Sequence, residues 1–214
     1  MFQCFWGFFL INVKIKTYKH TMKFFLSLIF MLIVINAYAH QPVLNEENPV
    51  SFDSPYLIEK PEVSKAIYST LQGEPHIFKI SSNKDFKFYA GITVPKIEGC
   101  NQFDKFSFQV LDSNQKIIKN FDGESFKWWP WYEKYGKKWY WVGPELGVKF
   151  KSNNTFSAGD YFIRVFNENN KGNYVLATGD IEKFGPFVIA KLPFILPKIN
   201  KKFWDEVNCQ PSLK

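Results

Sequence analysis

The chain has 214 residues, 46% hydrophobic and 19% aromatic, and a formal net charge of +7. Residues 1–39 hold Lys14, Lys16, Lys19 and Lys23 and no Asp or Glu, so +7 less those four lysines leaves +3 on residues 40–214. So small a charge argues against nucleic-acid binding, which needs a concentrated basic face, and its length suits one ordinary domain with a core of its own.

Met22-Lys23, an apolar run over 24–35 and then Ala37-Tyr38-Ala39 have the form of a signal peptide over 22–39. A positive start, an apolar stretch and small residues at −3 and −1 are what the export machinery reads. The expectation is cleavage before His40 and a periplasmic or extracellular location. The competing reading, an uncleaved anchor, is weakened because the run falls short of the ~18 apolar residues of a spanning helix. Residues 1–21 are either an over-extended start or a lengthened positive region, and they are set aside from the fold.

Residues 40–72 carry Pro42, Pro49, Pro55 and Pro61 and read as an extended leader. Within it Val63, Ala66, Ile67 and Leu71 have helical spacing and predict one short helix over 62–71, stopped by Gly73 and Pro75. The period then becomes two, over 76–80, 86–94 and 106–111, with Asp112-Ser113-Asn114-Gln115 as the turn into 116–119. A further turn, Ser157-Ala158-Gly159-Asp160, leads into a strand over 161–166. The polar turn 167–172 and a strand over 173–179 follow, which predicts a hairpin. Alternation broken by Asp, Asn, Ser and Gly is the pattern of a half-buried antiparallel sheet. The expected fold is all-β, an antiparallel jelly-roll-like β-sandwich over 73–183 with an aromatic-rich insertion at 126–145 and at most one short helix.

Three segments of this pattern carry a resemblance. Ala158-Gly159-Asp160-Tyr161-Phe162-Ile163-Arg164-Val165, then Gly172-Asn173-Tyr174-Val175-Leu176, resembles the closing hairpin of the pre-peptidase C-terminal-like β-sandwich domains of secreted bacterial proteins. Ile77-Phe78-Lys79-Ile80 resembles their opening strand, and Phe108-Gln109-Val110-Leu111-Asp112-Ser113-Asn114-Gln115-Lys116-Ile117 an internal hairpin. The resemblance covers about residues 73–180. It implies an accessory module and says little about chemistry, since such domains serve many proteins.

The insertion at 126–145 departs from that pattern and holds five of the seven Trp. Trp128, Trp129, Trp131, Tyr132, Trp139 and Trp141 are the candidate ligand- or partner-binding residues. Rings with polar tips suit sugar stacking, a peptide groove or a membrane interface. The competing reading has the rings cap one open end of the sandwich. Alternation puts Trp139 and Trp141 on one face and Tyr140 on the other.

No catalytic set is apparent. His40 and His76 stand without a His-Glu-x-x-His or Gly-x-Ser-x-Gly partner arrangement, and His76 reads as a strand-edge residue rather than a base. Glu133 and Glu145 flank the Trp cluster as glycosidase carboxylates do, yet neighbouring lysines account for them as solvated charges. Asp112, Asp122, Asp160 and Asp180 fall at turns, where Asp is favoured for backbone reasons. No metal or cofactor is expected. Cys100 and Cys209 are candidates for a disulfide in an oxidising compartment.

Residues 184–214 are apolar but broken by Pro186, Pro193 and Pro197. An edge strand and an extended strip packed on the sandwich are expected there; an exposed strip would be a docking surface for a membrane or a partner subunit. The function read from the sequence is an exported, non-enzymatic binding or accessory module contacting a carbohydrate, peptide or lipid. The alternative is a structural or assembly component of the cell envelope packing against another envelope protein, and a hydrolase is third. Membrane contact is expected only peripherally.

Overall fold

A computed structural model describes residues 40–100 and 102–205. The signal segment 22–39 and Cys209 lie outside the described residues. Among the described residues thirteen strands run in chain order: β1 (Gln41–Leu44), β2 (Tyr56–Leu57), β3 (Lys65–Gln72), β4 (His76–Ser82), β5 (Phe86–Phe88), β6 (Ala90–Pro95) and β7 (Ser107–Leu111), then β8 (Ile117–Phe121), β9 (Trp129–Glu133), β10 (Lys138–Leu146), β11 (Asn154–Phe156), β12 (Gly159–Phe166) and β13 (Lys171–Thr178). They form a six-stranded sheet in the order β1-β3-β13-β6-β10-β9, a five-stranded sheet in the order β2-β4-β12-β7-β8, and the small pair β11-β5. The fold is all-β, and among the described residues there is a single α-helix, α1 (Pro186–Ile199), which continues into a π-helical turn, Asn200–Trp204.

The two large sheets face each other over one apolar core. Ile67, Leu71, Ile92 and Leu176 from the larger sheet meet Phe78, Phe108, Ile163 and Val165 from the smaller. A buried large apolar side chain contributes roughly 1.5–3 kcal/mol, so this layer dominates the stability of the fold. A second cluster, Tyr140, Val175, Ile199 and Phe203, covers part of the outer face of the six-stranded sheet. The leader lends an edge strand to each sheet, β1 running parallel to β3 and β2 parallel to β4.

Three expectations are corrected. The short helix over 62–71 is strand β3, paired to β1 and β13. Its inward residues are Ile67, Ser69 and Leu71, all buried, and the polar Ser69 conceals the period of two. The strands over 161–166 and 173–179 do not pair with each other. Both edges of β12 are taken by β4 and β7, and β13 lies between β3 and β6 in the other sheet. The turn between them is made as read, with Asn167 Nδ2 donating to the Lys171 carbonyl at 2.7 Å and the Lys171 N–H donating back to Asn167 Oδ1 at 3.0 Å. It carries the chain across the sandwich rather than along one sheet. Finally, the strip after residue 184 is helical: Pro186 occupies the first turn, where its missing N–H costs nothing. Pro193 and Pro197 are four apart and remove only the bonds to the carbonyls of residues 189 and 193.

His76 begins β4 and is buried, not at a wet edge. Its Nε2 donates to Asn48 Oδ1 at 3.0 Å, and its Nδ1 accepts from the Tyr174 hydroxyl at 2.8 Å. Asn45 Nδ2 donates to Ser69 Oγ at 3.2 Å nearby, so polar groups of the leader and of both sheets satisfy one another in the interior. Burial pushes the His76 pKa from 6.5 down to about 4. The unfolded chain therefore takes up a proton that the folded chain refuses, and stability present above 6.5 is lost as pH falls toward 4. His40, bonded to Ser64 Oγ, is lowered to about 4 as well, by burial and then by Lys151. Denaturant titrations at about pH 7 and pH 5 are expected to differ by roughly 2 kcal/mol on account of His76. His76→Gln should remove that part of the slope; an unchanged slope would count against a neutral buried His76.

Candidate functional site

β9 and β10 form the free edge of the six-stranded sheet, with Tyr132 opposite Trp139, Pro130 opposite Trp141, and Trp131 opposite Tyr140. Residues directly opposed share a face, so the aromatic hairpin divides into two sets.

On the face toward the sandwich interior, Trp141 stacks on Phe103 with centroids 4.9 Å apart and planes at 14°. Trp128 meets Phe103 edge-on at 5.4 Å and donates its indole N–H to the Gly123 carbonyl at 2.7 Å. Both Trp rings pack against the main core. Gly143 makes room for this plug: a Cβ there would fall 2.3 Å from the edge of the Trp128 ring. Gly143→Ala is therefore expected to push Trp128 out, at a cost of about 1–3 kcal/mol. The check is a melting temperature lower by roughly 5 °C.

Further along the same face the rings reach solvent. Trp139 is 48% exposed and Tyr132 39%, with centroids 5.2 Å apart. Lys96 follows β6 and places its ammonium 5.8 Å from the Trp139 ring and 5.4 Å from the Trp141 ring. Its attraction to the two ring faces leaves a cationic donor beside an exposed indole. On the opposite face Trp131 lies 5.0 Å from Phe150 and 6.0 Å from Tyr140, and Trp129, 40% exposed, lies 6.1 Å from Phe150. Tyr140 in turn meets Trp204 edge-on at 5.2 Å, with Lys138 Nζ 4.7 Å above the Trp204 ring.

The two flanking carboxylates hold backbone. Glu133 accepts from the N–H groups of Tyr135 (2.8 Å) and Gly136, closing the β9–β10 turn. Glu145 accepts from Lys149 N–H at 2.9 Å and Phe150 N–H at 3.1 Å. Lys149 and Phe150 have φ of 51° and 63°, a left-handed backbone that costs non-glycine residues energy. Charge-assisted bonds to Glu145 offset that cost and place Phe150 under Trp129 and Trp131. Asp112 and Asp122 likewise accept from turn N–H groups two to four residues on. Among the described residues no group of three or more His, Cys, Asp or Glu is placed to hold a metal ion. Cys100 is disulfide-bonded; the pairing with Cys209 read from the sequence falls outside the described residues.

The structure thus brings Tyr132, Trp139 and Trp141 to one face and Trp129 and Trp131 to the other, with Trp128 in the plug. Reading the sequence missed Lys96, Phe103, Phe150 and Trp204. Lys96 was legible in principle as the residue that extends β6 opposite Trp139. The other three come from loops and the helical tail, where no period marks them.

No protein-family model and no curated protein matches the chain. Among solved structures it is similar to the pre-peptidase C-terminal domain of collagenase from Bacillus anthracis, at 12% identity and a TM-score of 0.34, covering 58% of this chain and 93% of that one. It is also similar to the catalytic domain of a GH87 α-1,3-glucanase in complex with nigerose, at 12% identity and a TM-score of 0.26. That match covers 56% of this chain and 23% of the glucanase chain. The likeness is a distant one of fold, and the architecture described above rests on this chain's own strand pairing.

Proposed function

We propose that the chain is an exported, non-enzymatic binding or accessory module whose β9–β10 edge takes up a ligand, with a sugar ring as the class its chemistry fits best. The observation that carries this reading is the exposed pair Trp139 and Tyr132 at the sheet edge with the Lys96 ammonium beside it. An indole face offers flat apolar area to the C–H face of a sugar, and an ammonium offers three donors to its hydroxyls. The use of Glu133 and Glu145 as loop ties supports a binding role over a hydrolytic one.

The test is retention of the protein on insoluble polysaccharides: cellulose, chitin, α-glucan and peptidoglycan. Wild type should be retained on one of them, and Trp139→Ala should bind about 30-fold more weakly, a loss of roughly 2 kcal/mol, with its melting temperature hardly moved. Retention on none, or equal retention of Trp139→Ala, would reject the sugar reading.

The second reading, an envelope component packed against another protein, draws on β8, the neighbouring free edge, where Ile117 and Ile118 are exposed. Loss of a co-purifying partner on Ile118→Lys, with polysaccharide retention absent, would favour it.

A further inference from the structure

Helix α1 is apolar on both sides. Its inner side, through Ile195 and Ile199, joins the cluster on the outer face of the six-stranded sheet. The following turn is pinned there by Phe203, which is buried, meets Tyr68 edge-on at 4.9 Å and accepts from Asn173 Nδ2 at 2.7 Å through its carbonyl. The outer side is bare: Phe187 is 85% exposed and Phe194 73%, and Ile189 and Leu196 are exposed as well. Phe187 and Phe194 are seven residues apart, so two turns of helix set them on one line.

The helix and the turn that follows carry charge of one sign, and Glu46 of the leader faces Lys202 and, beyond it, Lys198. Residues 183–204 contain Lys183, Lys191, Lys198, Lys201 and Lys202 and no Asp or Glu. Lys202 pairs with Glu46. Helical spacing puts Lys191 and Lys198 on the flank next to Phe187 and Phe194. Bulky apolar side chains edged by lysines complement a surface that is apolar beneath and anionic on top.

We propose that α1 docks on an anionic phospholipid surface, with Phe187 and Phe194 entering the boundary between headgroups and acyl chains and Lys191 and Lys198 meeting lipid phosphates. The helix lies along the surface rather than through it. Its 14 residues span roughly 21 Å against the ~30 Å of a hydrocarbon core, and among the described residues no helix is long and apolar enough to cross a membrane. The prolines agree with that depth. The carbonyls of Ile189 and Pro193 lose their helical donors to Pro193 and Pro197, and headgroup water can satisfy them where hydrocarbon cannot.

The experiment uses the chain from His40 onward, which contains every described strand and both clusters, and co-sedimentation with two kinds of vesicle: phosphatidylcholine alone, and phosphatidylcholine with about one-third phosphatidylglycerol. Wild type should prefer the anionic vesicles by about tenfold or more and lose that preference at high salt. The double variant Phe187→Ser with Phe194→Ser should bind about tenfold more weakly, as should Lys191→Gln with Lys198→Gln. All these side chains are exposed, so the melting temperature of each variant should match wild type. Failure to sediment, equal sedimentation with neutral vesicles, or undiminished binding by either variant would overturn the proposal. So would dimerisation without lipid that the phenylalanine variant abolishes, since it would assign the face to a second copy of the chain.

Discussion

Ile163→Asp should abolish soluble expression, while Arg164→Ala should leave yield and melting temperature close to wild type. Ile163 is fully buried in the middle of β12, between Phe78 on β4 and Val110 on β7. A carboxylate there has no cationic partner in a layer of Ile, Val and Phe, so the cost is the desolvation of an unpaired charge or its forced protonation, more than about 4 kcal/mol in a domain whose whole margin is ~5–15 kcal/mol. Arg164 points to the other face, with its guanidinium 5.4 Å from the Phe166 ring, and truncating it should cost at most about 1 kcal/mol. Comparable damage from the two changes would mean that the register of β12 is wrong.

The second large effect separates two tryptophans on one strand. Trp141→Ala should cost about 3 kcal/mol or more, because the stack on Phe103 and the wall of the plug beside Trp128 are lost together and a cavity opens at the sandwich edge. Trp139→Ala removes a ring that is half exposed and should cost well under about 1 kcal/mol. Urea denaturation of both variants decides this, and equal losses would show that the hairpin is a single structural cap.

How legible these features were depended on whether the signal was local. The register of β12 could be read because Ile163 and Val165 are apolar and Arg164 between them is not. That Trp139 and Trp141 share a face could be read too, but their difference in exposure could not. It arises where β9 and β10 run out from beneath the plug, and Phe103, which covers Trp141, comes from a loop with no pattern. Ser69 hid β3 by placing a polar group at a core position, where Asn45 satisfies it. The turn at Asn167 announced a reversal of the chain but carried no word on which strands would pair afterwards, since both edges of β12 were filled by strands far away in sequence. In α1 the prolines pointed to an extended strip, yet the segment is helical although two of them lie inside it. The compensation comes from tertiary contacts of Ile195, Ile199 and Phe203, which no window of sequence displays.

The most direct test of the proposed ligand surface is ¹⁹F NMR of protein carrying 5-fluorotryptophan, with resonances assigned by single Trp→Phe changes, during titration with soluble oligosaccharide cut from whichever polysaccharide retains the protein. The Trp139 resonance should shift in a saturable way while those of Trp128 and Trp141, held in the plug, stay in place. A stationary Trp139 resonance, or movement led by Trp128 and Trp141, would contradict a binding face on the β9–β10 edge.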